Sequence, residues 1–362
     1  MIISGGGTGG HVFPAIAIAN AFRERHPDAE ILFVGAEGKM EMTRVPDAGY
    51  KIVGLRIAGL QRRLTLQNLS FPLKLVASLF KARKLVKDFT PDVVVGTGGY
   101  ASGPVMMAAI RKGIPALVQE QNSYAGLTNK QLASKAKTIC VAYPNMDKFF
   151  PASKIIVTGN PVRKDIIDLA PKRNVALSNY DFNNSTKTLL IIGGSLGART
   201  INESVLGGID KLIASKIQVI WQTGKFYIDE IKKQVTGKDL THIRISDFVK
   251  EMDLAYAAAD VVISRAGALS ISELCLAKKP AILVPSPNVS EDHQTQNAMA
   301  LAKQDAAVMI KDSEAREKLI NEALSLLNNT DRCVKLSTNI AAMGKPDAAL
   351  NIVKEIEKLI IQ

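Results

Sequence analysis

A histidine set directly after a run of glycines, Gly5-Gly6-Gly7-Thr8-Gly9-Gly10-His11, is the arrangement in this chain best suited to chemistry. The run follows the apolar residues Ile2 and Ile3 and precedes VFPAIAIANAF, so it reads as a strand-to-helix turn. Backbone amides at such a turn, together with the positive end of the helix dipole, hold anions such as phosphates. Glycine is needed where the chain turns with positive φ or where a ligand must touch the backbone. An imidazole, with an ordinary pKa of ~6.5, serves as a general base near neutral pH, and a helix N-terminus disfavours its charged form. From spacing alone, His11 as a base and His11 as a cap of its own loop are equally good readings.

A second glycine loop, Gly193-Gly194-Ser195-Leu196-Gly197-Ala198, offers amides and the Ser195 hydroxyl at a helix start. Arg163, just beyond Gly159-Asn160-Pro161-Val162, could neutralise a diphosphate beside it. The run Ser264-Arg265-Ala266-Gly267-Ala268-Leu269-Ser270-Ile271-Ser272-Glu273 passes from strand to helix and carries a carboxylate in the first turns. A carboxylate that accepts from two adjacent ribose hydroxyls is the usual way to fix a nucleoside. The plain alternative for Glu273, complementing the helix dipole, is worth only ~0.3–1 kcal/mol. Gln294, in the amide-rich DHQTQN, is able to read sugar hydroxyls.

Several phosphate-binding classes compete for the first loop. The chain has no G-x-x-x-x-G-K-[ST], which disfavours a P-loop NTPase. Tubulin-like GTPases use a similar GGGTG run, but deep inside their domain. GGGTGG partly fits the dinucleotide fingerprint, yet the next strand, ILFVGAEGK, does not close on the expected acidic residue. A tight turn without any ligand is the remaining reading.

The elements that must position these residues are announced by a repeat. DVVVGTGGYASGPVMMAAIRKGIPALV from Asp92 and DVVISRAGALSISELCLAKKPAILV from Asp260 each read as a buried strand, a glycine turn, a helix and a second strand. Each is preceded by one of the glycine loops. The fold class expected is therefore α/β, with two Rossmann-like, doubly wound parallel-sheet domains and a ligand between them. The length of 362 residues suits two domains. The three cysteines, Cys140, Cys275 and Cys333, form no C-x-x-C pair, which favours a reducing compartment and no zinc site. With four histidines and none at metal-ligand spacing, a protein-built metal centre is not expected. No secretory signal and no bilayer-spanning apolar run are read, so a soluble or peripheral protein is expected. The net charge of +12 calls for an anionic partner. Nucleic acid is the weakest candidate, with 5% aromatic residues, one Trp and no binding motif.

Seven motifs in order, GGGTGGHVFPAIAIA, GTGGYASGP, EQNSYAGLTNK, GNPVR, GGSLGA, SRAGALSISE and DHQTQNA, cover nearly the whole chain. Together they resemble the lipid II-forming peptidoglycan glycosyltransferases of the GT-B superfamily. The resemblance implies an N-terminal domain over residues 1–160 for the lipid-linked acceptor and the membrane. It implies a C-terminal domain over 164–345 for UDP-N-acetylglucosamine, and a last helix from about 346 to 362 packing back on the first domain. It also implies inverting transfer of N-acetylglucosamine to the 4-hydroxyl of the muramoyl sugar of lipid I, forming a β-1,4 bond. Such a displacement needs a base and charge stabilisation for departing UDP, and no protein nucleophile. Other GT-B enzymes, such as a UDP-N-acetylglucosamine epimerase or a glycolipid transferase, and a non-catalytic nucleotide-sugar binding protein are the alternatives.

Carried over motif by motif, His11 becomes the favoured base, and Thr8, Gly9, Gly10 and Asn122 line the donor site. Arg163 and Ser195 would hold the nucleotide and its phosphates, with Val249 on uracil through its backbone, at a position where the family often has Ile. Ala268, Leu269, Ser270, Ile271, Ser272 and Glu273 would wrap the donor, Glu273 on the ribose, with Gln294 on the sugar hydroxyls. Tyr100, Glu120 and Asn129 are expected on the acceptor side. No cofactor is implied, although a divalent cation can arrive with the diphosphate. Many members have His before the EQN motif where this chain has Gln119, and the first strand is shorter than in relatives, as a trimmed start would make it. In the stretch 73–87, Leu75, Leu79, Ala82 and Val86 repeat at helical spacing, flanked by Lys74, Lys81 and Lys84. This basic amphipathic helix suits an anionic leaflet equally as well as a domain core. The resemblance places the protein peripherally on the cytoplasmic face of the inner membrane, among cell-wall and division proteins.

Overall fold

Two separate alternations of strand and helix run along the chain, and in the computed structural model each builds its own parallel sheet. The structure describes residues 1–57, 71–194, 196–289 and 292–361, with the backbone alone for 71–74. It divides into one unit of Met1–Val162 with Asp347–Gln362 and a second of Arg163–Pro346.

In the first unit, β1 (Ile2–Gly5), β2 (Leu32–Ala36), β3 (Lys51–Leu55), β4 (Val94–Gly98), β5 (Ala116–Glu120), β6 (Thr138–Val141) and β7 (Ile155–Val157) form one sheet. Its order is β3-β2-β1-β4-β5-β6-β7, with parallel pairing throughout. In the second, β8 (Thr188–Ile192), β9 (Gln218–Gln222), β10 (Ile243–Ser246), β11 (Val261–Ser264), β12 (Ala281–Leu283) and β13 (Val308–Met309) follow the order β10-β9-β8-β11-β12-β13, again parallel. Helices cover both faces of such sheets, so central strands carry apolar runs instead of alternation. Ile2, Ile3, Val94, Val95, Leu189, Leu190, Ile191, Val261, Val262 and Ile263 are accordingly all fully buried.

In each sheet the strand order reverses at its first strand, and each sheet has its own crevice beyond the strand carboxyl ends where ligands bind. The loops bordering the first crevice leave β1 and β4, and those bordering the second leave β8 and β11. The repeated phrase is the same structural piece in each: β4, helix Ser102–Arg111 and β5, then β11, helix Ala268–Ala277 and β12.

Helix Gly9–Arg25 buries Val12, Ala15, Ile18, Ala19 and Phe22 beside Ile3, Phe33 and Val95, and the last helix, Ala348–Ile361, adds Ile352, Val353 and Ile356 to that cluster. Glu357 of that helix accepts from Arg25 at 2.7 Å and pairs with His26 at 2.8 Å. In helix Phe71–Phe89, Ala82 and Val86 are fully buried and Leu75 packs on the core, while Leu79 is half-buried. Among its described side chains the large apolar ones left exposed are Val76 and Phe80. The side chain of Lys74 lies outside those described. Among the described residues no helix is long and apolar enough to cross a membrane.

Candidate active site

In the first unit, helix Gly9–Arg25 starts from Thr8, whose side chain makes no capping bond to the helix. The first amides of any helix lack intrahelical partners, so those of Gly9 and Gly10 face whatever ligand reaches the loop. The loop's earlier amide is already occupied. Gly7 N–H donates to both carboxylate oxygens of Glu41, at 3.1 and 3.0 Å, and Ala36 N–H donates to the same group at 2.9 Å. Glu41 is fully buried. The expectation that the whole glycine run cradles an anion is thus narrowed to its helical end, because a protein carboxylate takes the turn before it.

His11 is held from three sides. Its Nδ1 lies 3.0 Å from the Gly6 carbonyl and 3.3 Å from Thr8 Oγ1, and its own carbonyl accepts from Thr97 Oγ1 at 2.8 Å. A carbonyl only accepts, so the Gly6 contact puts the ring proton on Nδ1 and the basic lone pair on Nε2. The ring also packs against Gly98, where an added Cβ would stand 2.9 Å from Cδ2 and 3.0 Å from Nε2. Gly98 and Gly99 both have positive φ, +101° and +86°, and a Cβ on Gly99 would collide with the Gly6 carbonyl. Side chains at these two positions would therefore push the two loops apart.

The EQN segment is organised by Glu120, which is buried. Its Oε1 accepts from Asn122 N at 3.0 Å and Asn122 Nδ2 at 3.3 Å, and its Oε2 from Gly126 N and Asn129 Nδ2, both at 2.9 Å. This carboxylate is spent on the loop, so it acts as a scaffold for Asn122. Asn129 is 2% exposed, and its Oδ1 is buried with no hydrogen-bond partner among the described residues. Gln119 is buried and donates to Asn160 Oδ1 at 3.3 Å, while Tyr100 stands 55% exposed just after the β4 loop.

In the second unit, the loop after β8 is closed by Gln222, which accepts from Gly193 N at 3.1 Å and donates to Gly194 O at 3.0 Å. The helix it leads into begins at Arg199. Ser195 falls outside the described residues. Glu273 lies in the second turn of helix Ala268–Ala277, whose first turn has no acidic residue. Dipole complementation fades within that first turn, so it does not account for Glu273. Instead Arg163 Nε donates to Oε1 at 3.2 Å and the Tyr256 hydroxyl to Oε2 at 3.2 Å. Burial pushes the Glu273 carboxyl above its usual range, and the bonds from Arg163 and Tyr256 oppose that shift. Ala268 and Ile271 are buried, Leu269, Ser270 and Ser272 half-buried, and Ser272 Oγ donates back to Ala268 O at 3.0 Å. Val249 is buried in the loop between β10 and helix Met252–Ala258. Gln294, near the start of helix His293–Ala302, accepts from Ser286 N at 2.9 Å, so its NH2 is the part left to read a ligand. Among the described residues no group of three or more His, Cys, Asp or Glu is placed to hold a metal ion.

Sequence reasoning missed Tyr256 and Glu41. Tyr256 sits in the alanine-rich LAYAAAD, where an aromatic reads as core, and Glu41 lies in a polar stretch that reads as surface. Neither position carries a signal that would have singled it out.

Two switch-point crevices, one with a histidine on a glycine loop and one with an arginine-carboxylate pair, fit the class of nucleotide-sugar enzymes. The N-terminal domain model of glycosyltransferase family 28 matches residues 1–141 and its C-terminal domain model matches 188–352. The chain belongs to glycosyltransferase family 28. It is 56% identical, over 99% of its length and 98% of the relative's, to the UDP-N-acetylglucosamine--N-acetylmuramyl-(pentapeptide) pyrophosphoryl-undecaprenol N-acetylglucosamine transferase of Parabacteroides distasonis. The crystal structure of Acinetobacter baumannii MurG superposes with a TM-score of 0.76 at 30% identity, over 99% of each chain. A UDP-GlcNAc 2-epimerase from Neisseria meningitidis shares the fold, with a TM-score of 0.69 over 99% of each chain, but only 13% of the sequence.

Proposed function

We infer that this hexosyltransferase moves N-acetylglucosamine from UDP-N-acetylglucosamine to the 4-hydroxyl of the muramoyl sugar of lipid I, with inversion, giving β-1,4-linked lipid II. The near-full-length identity to a transferase of that name supports the substrates. The observation that carries the chemistry is the Nδ1 contact of His11 with the Gly6 carbonyl, which leaves Nε2 basic. His11 Nε2 takes the proton of the acceptor 4-hydroxyl while that oxygen attacks C1 of the donor sugar. The bond from C1 to the diphosphate breaks, and UDP leaves with the electron pair. Its charge is met by Arg163, by the Ser195 loop and by the amides of Gly9 and Gly10 at the helix start. A divalent cation arriving with the donor would add to this.

On this reading the first unit takes the acceptor and the second the nucleotide sugar. Thr8 and Asn122 reach the transferred sugar, Val249 meets uracil, and the helix turn from Ala268 to Glu273 wraps the donor with Glu273 on the ribose. Gln294 reads sugar hydroxyls. The orphaned Oδ1 of Asn129 supports a place for it, with Tyr100, on the acceptor side. Exposed Val76 and Phe80 beside exposed Arg83, Lys84 and Lys87 support docking on an anionic leaflet at the cytoplasmic face, where cell-wall and division proteins would be neighbours. Epimerases share the fold alone. UDP release from UDP-N-acetylglucosamine with and without lipid I, against UDP-glucose and UDP-N-acetylgalactosamine, is the test. Release that is acceptor-dependent and selective for the first donor is expected. Release that ignores the acceptor would remove the reading.

A further inference from the structure

We infer that Tyr256 is a positioning residue for the donor's ribose, its buried hydroxyl holding the Glu273 carboxylate in the orientation that accepts the two ribose hydroxyls. The inference rests on the ribose role of Glu273 proposed above. Tyr256 is fully buried in helix Met252–Ala258, and its hydroxyl donates to Glu273 Oε2 at 3.2 Å. Arg163 Nε donates to the other oxygen at the same distance. An ionised carboxylate has about four acceptor sites, two on each oxygen. One site on each oxygen is thereby filled from within the protein, which leaves one on each, spaced as the 2′ and 3′ hydroxyls of a ribose require. The Glu273 side chain keeps 16% of its surface exposed, so it is not sealed from solvent.

The hydroxyl is what distinguishes this residue from phenylalanine, and its partner is Glu273. Phenylalanine fills the same volume, and a buried hydroxyl is an expense unless bonded. The bond also bears on the charge of Glu273. The groups that face this carboxyl are Arg163 and Tyr256, which favour its ionised form, and Asp165, which disfavours it. Burial pushes the Tyr256 phenol well above its ordinary range, so it stays a donor at every working pH. Removing the hydroxyl deletes a bond to the ionised carboxylate, and the carboxyl then protonates at higher pH.

Calorimetric binding of UDP, 2′-deoxy-UDP and 3′-deoxy-UDP to the full chain separates the possibilities, with Tyr256→Phe and Glu273→Gln measured beside the wild type. A hydrogen bond to a charged group discriminates about 10-fold or more. Wild type should prefer UDP to each deoxy analogue by that order, and both variants should lose most of the preference. Tyr256→Phe should also raise the KM for donor about 10-fold while leaving kcat near wild type, and move the acidic limb of donor affinity to higher pH. Should Glu273→Gln lose the preference while Tyr256→Phe keeps it, with an unmoved acidic limb, the positioning role is wrong and the ribose role stands. Should the wild type show no preference, the ribose role of Glu273 fails and takes the inference with it. If Tyr256→Phe does not fold, Tyr256→Met carries the same comparison.

Discussion

Alanine at Gly98 would disturb His11 from across the crevice. The added Cβ stands 2.9 Å from Cδ2 and 3.0 Å from Nε2 of the imidazole, whereas apolar atoms rest at ~3.5–4.0 Å. The ring must retreat by roughly 0.5–1 Å to restore ordinary contact. Its retreat is resisted by the 3.0 Å contact of Nδ1 with the Gly6 carbonyl, so the ring tilts or loses that bond. A misplacement of about 1 Å at a reacting group costs on the order of 100-fold in rate, or ~2.7 kcal/mol of transition-state stabilisation. The φ of +101° at Gly98 adds strain for any side chain, of about 1–3 kcal/mol. UDP release at saturating donor and acceptor should therefore fall about 100-fold in Gly98→Ala. Calorimetric donor affinity should change little and the thermal midpoint should drop. His11→Ala alone should lose about 10²- to 10⁴-fold. Because both substitutions act through one ring, Gly98→Ala should cost little further in the His11→Ala background. A folded Gly98→Ala with wild-type turnover, or full additivity of the two losses, would refute His11 as the base.

Three further perturbations follow from particular contacts. Glu120→Gln replaces one carboxylate oxygen with an NH2 that must face the N–H donors of either Asn122 or Gly126, a mismatch of about 1–3 kcal/mol. Thermal unfolding should register it and the donor KM should rise; an unchanged midpoint would show that the loop does not depend on this carboxylate. Burial lowers the pKa of Lys279 from 10.5 to about 8, so between those values the unfolded chain holds a proton that the folded chain lacks. Its contribution to stability therefore rises with pH across that window, and the penalty is fully present below about pH 8. Lys279→Met should stabilise by as much as ~3 kcal/mol below the window, less whatever is lost with the bond to Ala259 O. That advantage over wild type in urea unfolding should shrink toward the top of the window; a constant difference would contradict the shift. Replacing exposed Val76 and Phe80 together by Ser should weaken co-sedimentation with anionic liposomes without lowering the thermal midpoint, since neither belongs to the core. Equal binding would place the membrane contact elsewhere.

The doubled fold was legible because strands buried on both faces must be written as uninterrupted apolar runs, and DVVV and DVVI are such runs followed by glycine turns. The glycine loops and His11 were legible for a related reason, since close backbone approach admits no other residue. What the sequence withheld is the identity of contacts made across elements. Glu273 was visible, but the hydroxyl that holds it comes from another helix, and only packing brings Tyr256 beside it. In helix Phe71–Phe89 the apolar period was clear, yet periodicity alone does not say which stripe the sheet covers. The core takes Leu75, Ala82 and Val86, and Val76 and Phe80 remain outside. Glu41 looked like surface charge because nothing in GAEGKMEM shows that its carboxylate would be drawn inward by two backbone amides.

That inward carboxylate bears on how the first loop works. A glycine loop has many conformations to lose, and one that ordered only on binding would draw on the ligand's affinity to do so. Here Glu41 ties the turn at Gly7 to β2 through Ala36, and the Gly6 carbonyl fixes the tautomer of His11. If His11 is the base, as proposed, it is thus oriented before any substrate arrives, the condition under which a positioned group acts on the transition state without reorganising. Arg163 and Glu273 in the second unit neutralise one another. Under the proposed ribose role of Glu273, an incoming nucleotide would meet the acceptor sites that this pair leaves open. On the proposed reading the two units have specialised: the first would hold a pre-oriented base, and the second a charge pair whose open acceptor sites would meet the nucleotide.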